Sequence, residues 1–243
     1  MDVFGHGVHL SGTAVAQDNN KGSVGVAPGA KTHSLKVLDD NGEAGLSEVI
    51  AALDSVITYK SMHPGSNIVV NMSFGADIGT SAYNALDEAV EMAIEKGIIV
   101  VVAAGNDGDD VSTFTPAHVA GAITVGAYDV YDRFAYFSNY GPGVDILAPG
   151  VDILSTGLAE GKLAPALMSG TSMASAHVSG AALLYLSKNP GASPDEVRQA
   201  LLAASKATIR NTPSGTTNRT VWVGGNFPEE GQNGQEGQNG GNK

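Results

Sequence analysis

Lys96-Gly97-Ile98-Ile99-Val100-Val101-Val102-Ala103-Ala104-Gly105-Asn106 decides how the middle of the chain folds. The unbroken apolar run Ile98–Ala104 has the length and β-branched content of a strand. Gly97 stops the segment before it, which reads as a helix that Ser81 can cap and that reaches Lys96. Working outward, Asn67–Ser73 is a second continuous apolar strand, of the type buried in a parallel sheet. Ser47 can cap a helix to about Met62, with Val49, Ile50, Leu53, Val56 and Ile57 at helical spacing. His6–Ala16 reads as a helix rich in small residues and Thr32–Leu38 as a strand. Ser193-Pro194-Asp195-Glu196 joins a cap, a first-turn proline and acids at the positive helix end. Alternating helix and strand predicts an α/β fold with a mostly parallel sheet. Ligands of such sheets sit at the carboxyl ends of the strands, where Ser73 and Asn106 fall.

Ser169-Gly170-Thr171-Ser172-Met173-Ala174-Ser175 precedes Gly180-Ala-Ala-Leu-Leu-Tyr-Leu186, a small and apolar stretch that packs as a buried helix. A hydroxyl at such a start meets unpaired N–H groups and the positive end of the helix dipole. Both favour negative charge beside it. The placement suits a nucleophile attacking a carbonyl, and it equally suits an N-cap; position alone favours the cap.

The 243-residue chain is 42% hydrophobic, enough for one large core. Its 25 acidic and 13 basic residues give a formal charge of −12, which argues against nucleic acid and anionic membranes as partners. Without cysteine it has no disulfides and no thiolate metal sites. No run approaches the ~18 apolar residues of a membrane span. Met1-Asp-Val-Phe-Gly5 has neither the basic start nor the apolar core of a signal peptide. From Asn226 the composition changes to a Gly, Gln, Asn and Glu repeat that cannot bury enough surface to fold, so 226–243 is expected to be a flexible linker or tail.

Four blocks then fall in order: Gly5-His6-Gly7-Val8-His9-Leu10-Ser11-Gly12-Thr13, Val69-Val70-Asn71-Met72-Ser73-Phe74-Gly75, Val102-Ala103-Ala104-Gly105-Asn106, and Gly170-Thr171-Ser172-Met173-Ala174-Ser175. Together they resemble the subtilisin-like serine protease (subtilase) family, whose patterns are HGTHVAGT, NMSxG, AAGN and GTSMASPH. Val24–Pro28, Ala122–Ala127, Phe137–Pro142 and Asp145–Gly150 extend the likeness from Gly5 to about Gly225. The resemblance implies a three-layer α/β domain over 1–225 and a serine endopeptidase working through an acyl-enzyme. It assigns His6 as general base, Ser172 as nucleophile and Asn106 as oxyanion donor beside the Ser172 N–H. Ser73, Phe74 and Gly75 would form one edge of the substrate cleft, and Ala103, Ala104 and Gly105 the wall of the first specificity pocket, which Phe114 helps to line.

It also implies polypeptide substrates, a propeptide or inhibitor for the parent protein, a secreted monomer, and no cofactor for the chemistry. In the family's triad the aspartate lies roughly thirty residues before the histidine. Only five residues precede His6, and Asp2 lies too near it along the chain. The expectation is therefore a peptidase domain lacking its N-terminal part, with its activity as given in question. Gln17–Gly22 resembles a calcium loop, so calcium is expected as a structural ion of the full-length parent, whose N-terminal part would complete the site. His6 and His9 stand i, i+3 on a helix and could clamp a metal, but a base plus a structural histidine is the better reading. His33, His63, His118 and His177 read as structural or surface residues. Val8 replaces a threonine of the pattern, a change of local packing. Ala176 replaces a proline; it restores a backbone N–H and could shift Ser172 toward acyl transfer to amines. Two alternatives therefore stand beside the protease: a non-catalytic peptide-binding homologue and a peptide transacylase.

Overall fold

The structure is a computed structural model, and it describes residues 5–79 and 84–224. In chain order its elements are α1 (His6–Val15), α2 (Leu46–Met62), β1 (Val69–Met72), β2 (Ala76–Asp77), α3 (Ala85–Glu95), β3 (Ile99–Ala103), a 3-10 turn (Val111–Thr113), β4 (Phe114–Thr115), β5 (Ile123–Tyr128), β6 (Ile146–Pro149), β7 (Ile153–Ala159), β8 (Lys162–Met168), α4 (Thr171–Lys188), α5 (Pro194–Ala204), β9 (Lys206–Ala207) and β10 (Arg219–Thr220). One six-stranded sheet has the order β1-β3-β5-β6-β10-β9. It is parallel except where β9 joins β10. The short pair β2–β4 and the hairpin β7–β8 stand apart from it.

The pleat of β3 explains the three layers. Val100 and Val102 face a core shared with Val49 and Leu53 of α2 and Leu86, Val90 and Ala93 of α3. Ile99 and Val101 face the opposite core, with Ala174, Val178, Ala181 and Leu186 of α4 and Val197 and Leu201 of α5. A strand covered on both faces needs apolar residues at every position, hence the unbroken run. Asp145, half-buried between sheet and helix, accepts from the Thr124 N–H at 2.9 Å and pairs with Arg198, tying α5 to the sheet. Burial pushes the Asp145 carboxyl above the ordinary carboxylate range despite that guanidinium.

Several local expectations shift. Helix α2 starts at Leu46 behind Gly45, so Ser47 lies in its first turn and donates to Glu48 instead of capping. Ser81 lies outside the described residues; α3 is capped by Asn84, in a capping box with Asp87. Thr32–Leu38 forms no strand. Strand propensity is expressed only against a ladder partner, and no described strand pairs with these residues. β1 is likewise an edge strand, half-buried from Val69 to Asn71, where full burial was expected. The 226–243 tail lies outside the described residues. Among those that are described, no helix is long and apolar enough to cross a membrane.

Candidate active site

Ser172 is the second residue of α4, inside the first turn and not at the cap, which is Gly170. Its side chain is buried in a residue only 8% exposed. Its hydroxyl donates to the Ser73 carbonyl at 3.2 Å, a long contact that a small rotation breaks. The position also leaves its backbone N–H among the orphan donors of a helix start.

Asn106 follows β3 and is fixed by the residue before Ser172. The Thr171 N–H and Oγ1 approach one end of its amide at 2.8 and 3.0 Å. A backbone N–H can only donate, so that end is the carbonyl oxygen, and Nδ2 is left as the outward donor. No hydrogen bond engages Nδ2 among the described residues. The Gly105 N–H meets the same Thr171 Oγ1 at 3.2 Å. A second clasp comes from the buried Asn139, which accepts from the Asp107 and Asp109 N–H groups at 3.0 and 3.1 Å and donates to the Ala104 carbonyl at 2.9 Å. Thr171 and Asn139 thus hold the 104–109 turn, and reading the sequence singled out neither. Their only signal is membership of the GTS and SNYG blocks.

Gly105 adopts φ +107°, and a Cβ there would lie 2.2 Å from Asn139 Nδ2 and 3.5 Å from the Phe114 ring. Glycine is needed at this wall for both reasons. Gly75 is closed in the same way: a Cβ there would lie 2.8 Å from the Thr115 carbonyl. Ala103 and Ala104 are buried, Ser73 is buried and Phe74 is half-buried. The strand 114–115 behind this wall is anchored by Asp87, which accepts from Thr115 Oγ1 at 2.6 Å and from His118 Nε2 at 2.9 Å. Burial alone would raise the Asp87 carboxyl, but bonds from Thr115, His118 and the Asn84 N–H hold it below its ordinary range.

His6 opens α1 and is half-buried. Helix α1 packs on α4, where a Cβ at Gly180 would sit 3.0 Å from the Ala14 carbonyl. His9 is buried, with Nε2 2.9 Å from the Ile153 carbonyl and 3.2 Å from the Ala166 carbonyl, the surroundings of a proton donor and not of a metal ligand. Burial, with some help from His9, holds His177 below the ordinary histidine range, and its Nδ1 bonds the Met173 carbonyl at 2.9 Å.

Residues 17–22 by themselves offer few donors for calcium. In 17–22, all exposed but near a backbone turn, Asp18 is the one carboxylate, and Asn19 Oδ1 already accepts from the Lys21 N–H. Among the described residues no three His, Cys, Asp or Glu side chains cluster to hold a metal ion.

Against this geometry, the family model for the subtilase family matches residues 1–235. The chain belongs to the subtilase family. It is 46% identical over 202 residues to an extracellular serine proteinase of Thermus sp. (strain Rt41A), covering 83% of this chain and 46% of that protein. It is 38% identical over 245 residues to the subtilisin-like serine protease Pen c 2 of Penicillium citrinum, covering 93% of this chain and 51% of that one. The chain spans about half the length of such curated relatives. A crystal structure of a cold adapted subtilisin-like serine proteinase superposes with TM-score 0.79 at 35% identity, covering 90% of this chain and 74% of the other. The three-layer α/β architecture is thus that of a subtilase.

Proposed function

We propose that this subtilase domain is a serine endopeptidase of polypeptides, with Ser172 as nucleophile, His6 as general base and Asn106 as oxyanion donor. The observation that carries the reading is the locked Asn106 amide. With Oδ1 held by the residue adjoining Ser172, Nδ2 and the Ser172 N–H are two donors on one short segment pair. In this reading Ser172 Oγ attacks the scissile carbonyl carbon while His6 takes its proton. The C–N bond breaks as His6 returns that proton to the leaving amine, and water then hydrolyses the acyl-enzyme by the same route. The donors gain strength as the carbonyl oxygen becomes an oxyanion. Asn106→Leu is therefore expected to lower kcat by about 10²–10³ with KM little changed, a magnitude established on a subtilisin oxyanion asparagine and carried over here. Steady-state kinetics on a peptide ester checks it; an unchanged kcat would contradict the assignment.

Ser73, Phe74 and Gly75 bind substrate as an added strand in this reading, and the pocket beyond Ala103, Ala104 and Gly105 is shortened by Phe114. Phe114→Ala is expected to raise kcat/KM for bulky first-position side chains about tenfold relative to alanine, within the range that hydrophobic pockets discriminate. Profiling both variants on a substrate series reads this directly, and equal profiles would remove Phe114 from the pocket. The extracellular relative supports a secreted role for the parent protein. A propeptide or inhibitor partner, a monomeric state, the lack of any cofactor in the chemistry, and calcium as an ion of the parent belong to the same proposal. Nothing in the geometry favours the non-catalytic reading or acyl transfer: Ala176 is buried in an α4 that runs unbroken from Thr171 to Lys188.

A further inference from the structure

We infer that Ser179, Asn71, Ser73 and Ser175 form a one-way chain of hydrogen bonds that positions the turn carrying Ser172, ending on the acceptor-only Ser172 carbonyl and anchored at its far end by Ser179. The inference rests on Ser172 being the attacking group, as proposed above.

Ser179 lies two turns along α4 and is 3% exposed, facing β1. Its hydroxyl donates to Asn71 Oδ1 at 2.9 Å. With Oδ1 occupied there, Asn71 Nδ2 donates to Ser73 Oγ at 2.6 Å. Ser73 Oγ, having accepted, turns its own proton toward Ser175 Oγ at 2.8 Å and the Ser172 carbonyl at 3.2 Å. Ser175 Oγ closes the chain on the Ser172 carbonyl at 2.9 Å. Asn71, Ser73 and Ser175 each accept one bond and donate the next, so the bonds polarise one another in one direction. Ser73 also supplies the carbonyl that receives the Ser172 hydroxyl. The end of β1 and the first turn of α4 are therefore fixed to each other through the hydroxyl and the carbonyl of Ser172.

Without the Ser179 hydroxyl, Asn71 Oδ1 loses its donor in this chain, and the amide loses the bond that holds it in this orientation. A flipped Asn71 would present its oxygen to Ser73, draw the Ser73 proton back, and leave Ser175 without its donor. The substrate-binding strand would stay in place, because β1 keeps its ladder to β3. The predicted signature is thus a loss in kcat with KM preserved.

The test compares the chain with Ser179→Ala, Asn71→Ala and the double variant, reading the rate of phosphonylation of Ser172 by a fluorophosphonate and the kcat and KM for a peptide ester. Ser179→Ala is expected to lower phosphonylation rate and kcat about 3–10-fold, the effect of one hydrogen bond. In the Asn71→Ala background it should add nothing further. Additive effects of the two changes, or unchanged rates in Ser179→Ala, would overturn the positioning role. Exchange of the Asn71 side-chain amide protons, followed by NMR, supplies a second readout. They should be protected in the parent chain and lose that protection in Ser179→Ala. Fast exchange in the parent overturns the chain of bonds whatever the activity. Protected protons beside an unreactive Ser172 would instead overturn the nucleophile assignment, and the positioning role with it.

Discussion

Ser172→Ala is expected to lower kcat about 10⁶-fold in a chain that also carries the family's aspartate, and about 10²-fold in this one, because losses within a triad are not additive. Residual catalysis of about 10³–10⁴ over water should survive from the oxyanion donors and substrate binding, because Asn106 and the residue-172 N–H remain. The fold should persist. The Ser172 hydroxyl makes one long bond to the Ser73 carbonyl, and Ser175 still ties the turn to the end of β1 through Ser73. Loss of turnover with an unchanged thermal transition is the expected pair of results. Turnover that survived at the parent level would place the nucleophile elsewhere.

The second large effect concerns the carboxylate that orients the base. The resemblance puts an aspartate roughly thirty residues before His6, where this sequence has five residues. A chain extended by a strand ending in Asp-Ser-Gly or Asp-Thr-Gly at that distance is expected to turn over peptide about 10⁴-fold faster than the chain as given. That is the usual cost of losing the aspartate, which keeps the imidazole in the tautomer that accepts the serine proton. Two features of the fold support a strand at this place. β1 is half-buried from Val69 to Asn71 and, among the described residues, pairs on one side only, and 32–38 has strand character without a ladder there. An Asp→Asn control in the extended chain separates the carboxylate from the added strand. Equal rates with and without the carboxylate would contradict the triad assignment.

The sheet was legible because both faces of β3 are covered, which leaves a short unbroken run whose length and β-branched residues mark a strand. Helix α5 announced itself through Ser193 and Glu196, whose reciprocal bonds lie within four residues. The same local logic pointed to Ser81 and Ser47, while the real cap of α3 is Asn84 and α2 begins behind a glycine. Hydroxyls near a helix start are many, and which one caps depends on where the incoming chain turns. Thr32–Leu38 shows the other limit, since pairing is a property of neighbours.

The candidate site divides along the same line. His6, Asn106 and Ser172 sit in contiguous blocks and could be picked out one by one. Thr171, Asn139 and Ser179 act through bonds to residues far away in sequence, 108 residues in the case of Ser179 and Asn71. No spacing pattern encodes such pairs, so the shell around the site emerges only when β1, β3 and α4 come together.

The most direct measurement is fluorophosphonate labelling of the purified, folded chain, with the adduct located by mass spectrometry beside a Ser172→Ala control. A single adduct is expected, on Ser172, formed more slowly than in the aspartate-bearing chain and absent from the control. A folded chain that takes no adduct, or one labelled equally after Ser172→Ala, would contradict the nucleophile assignment.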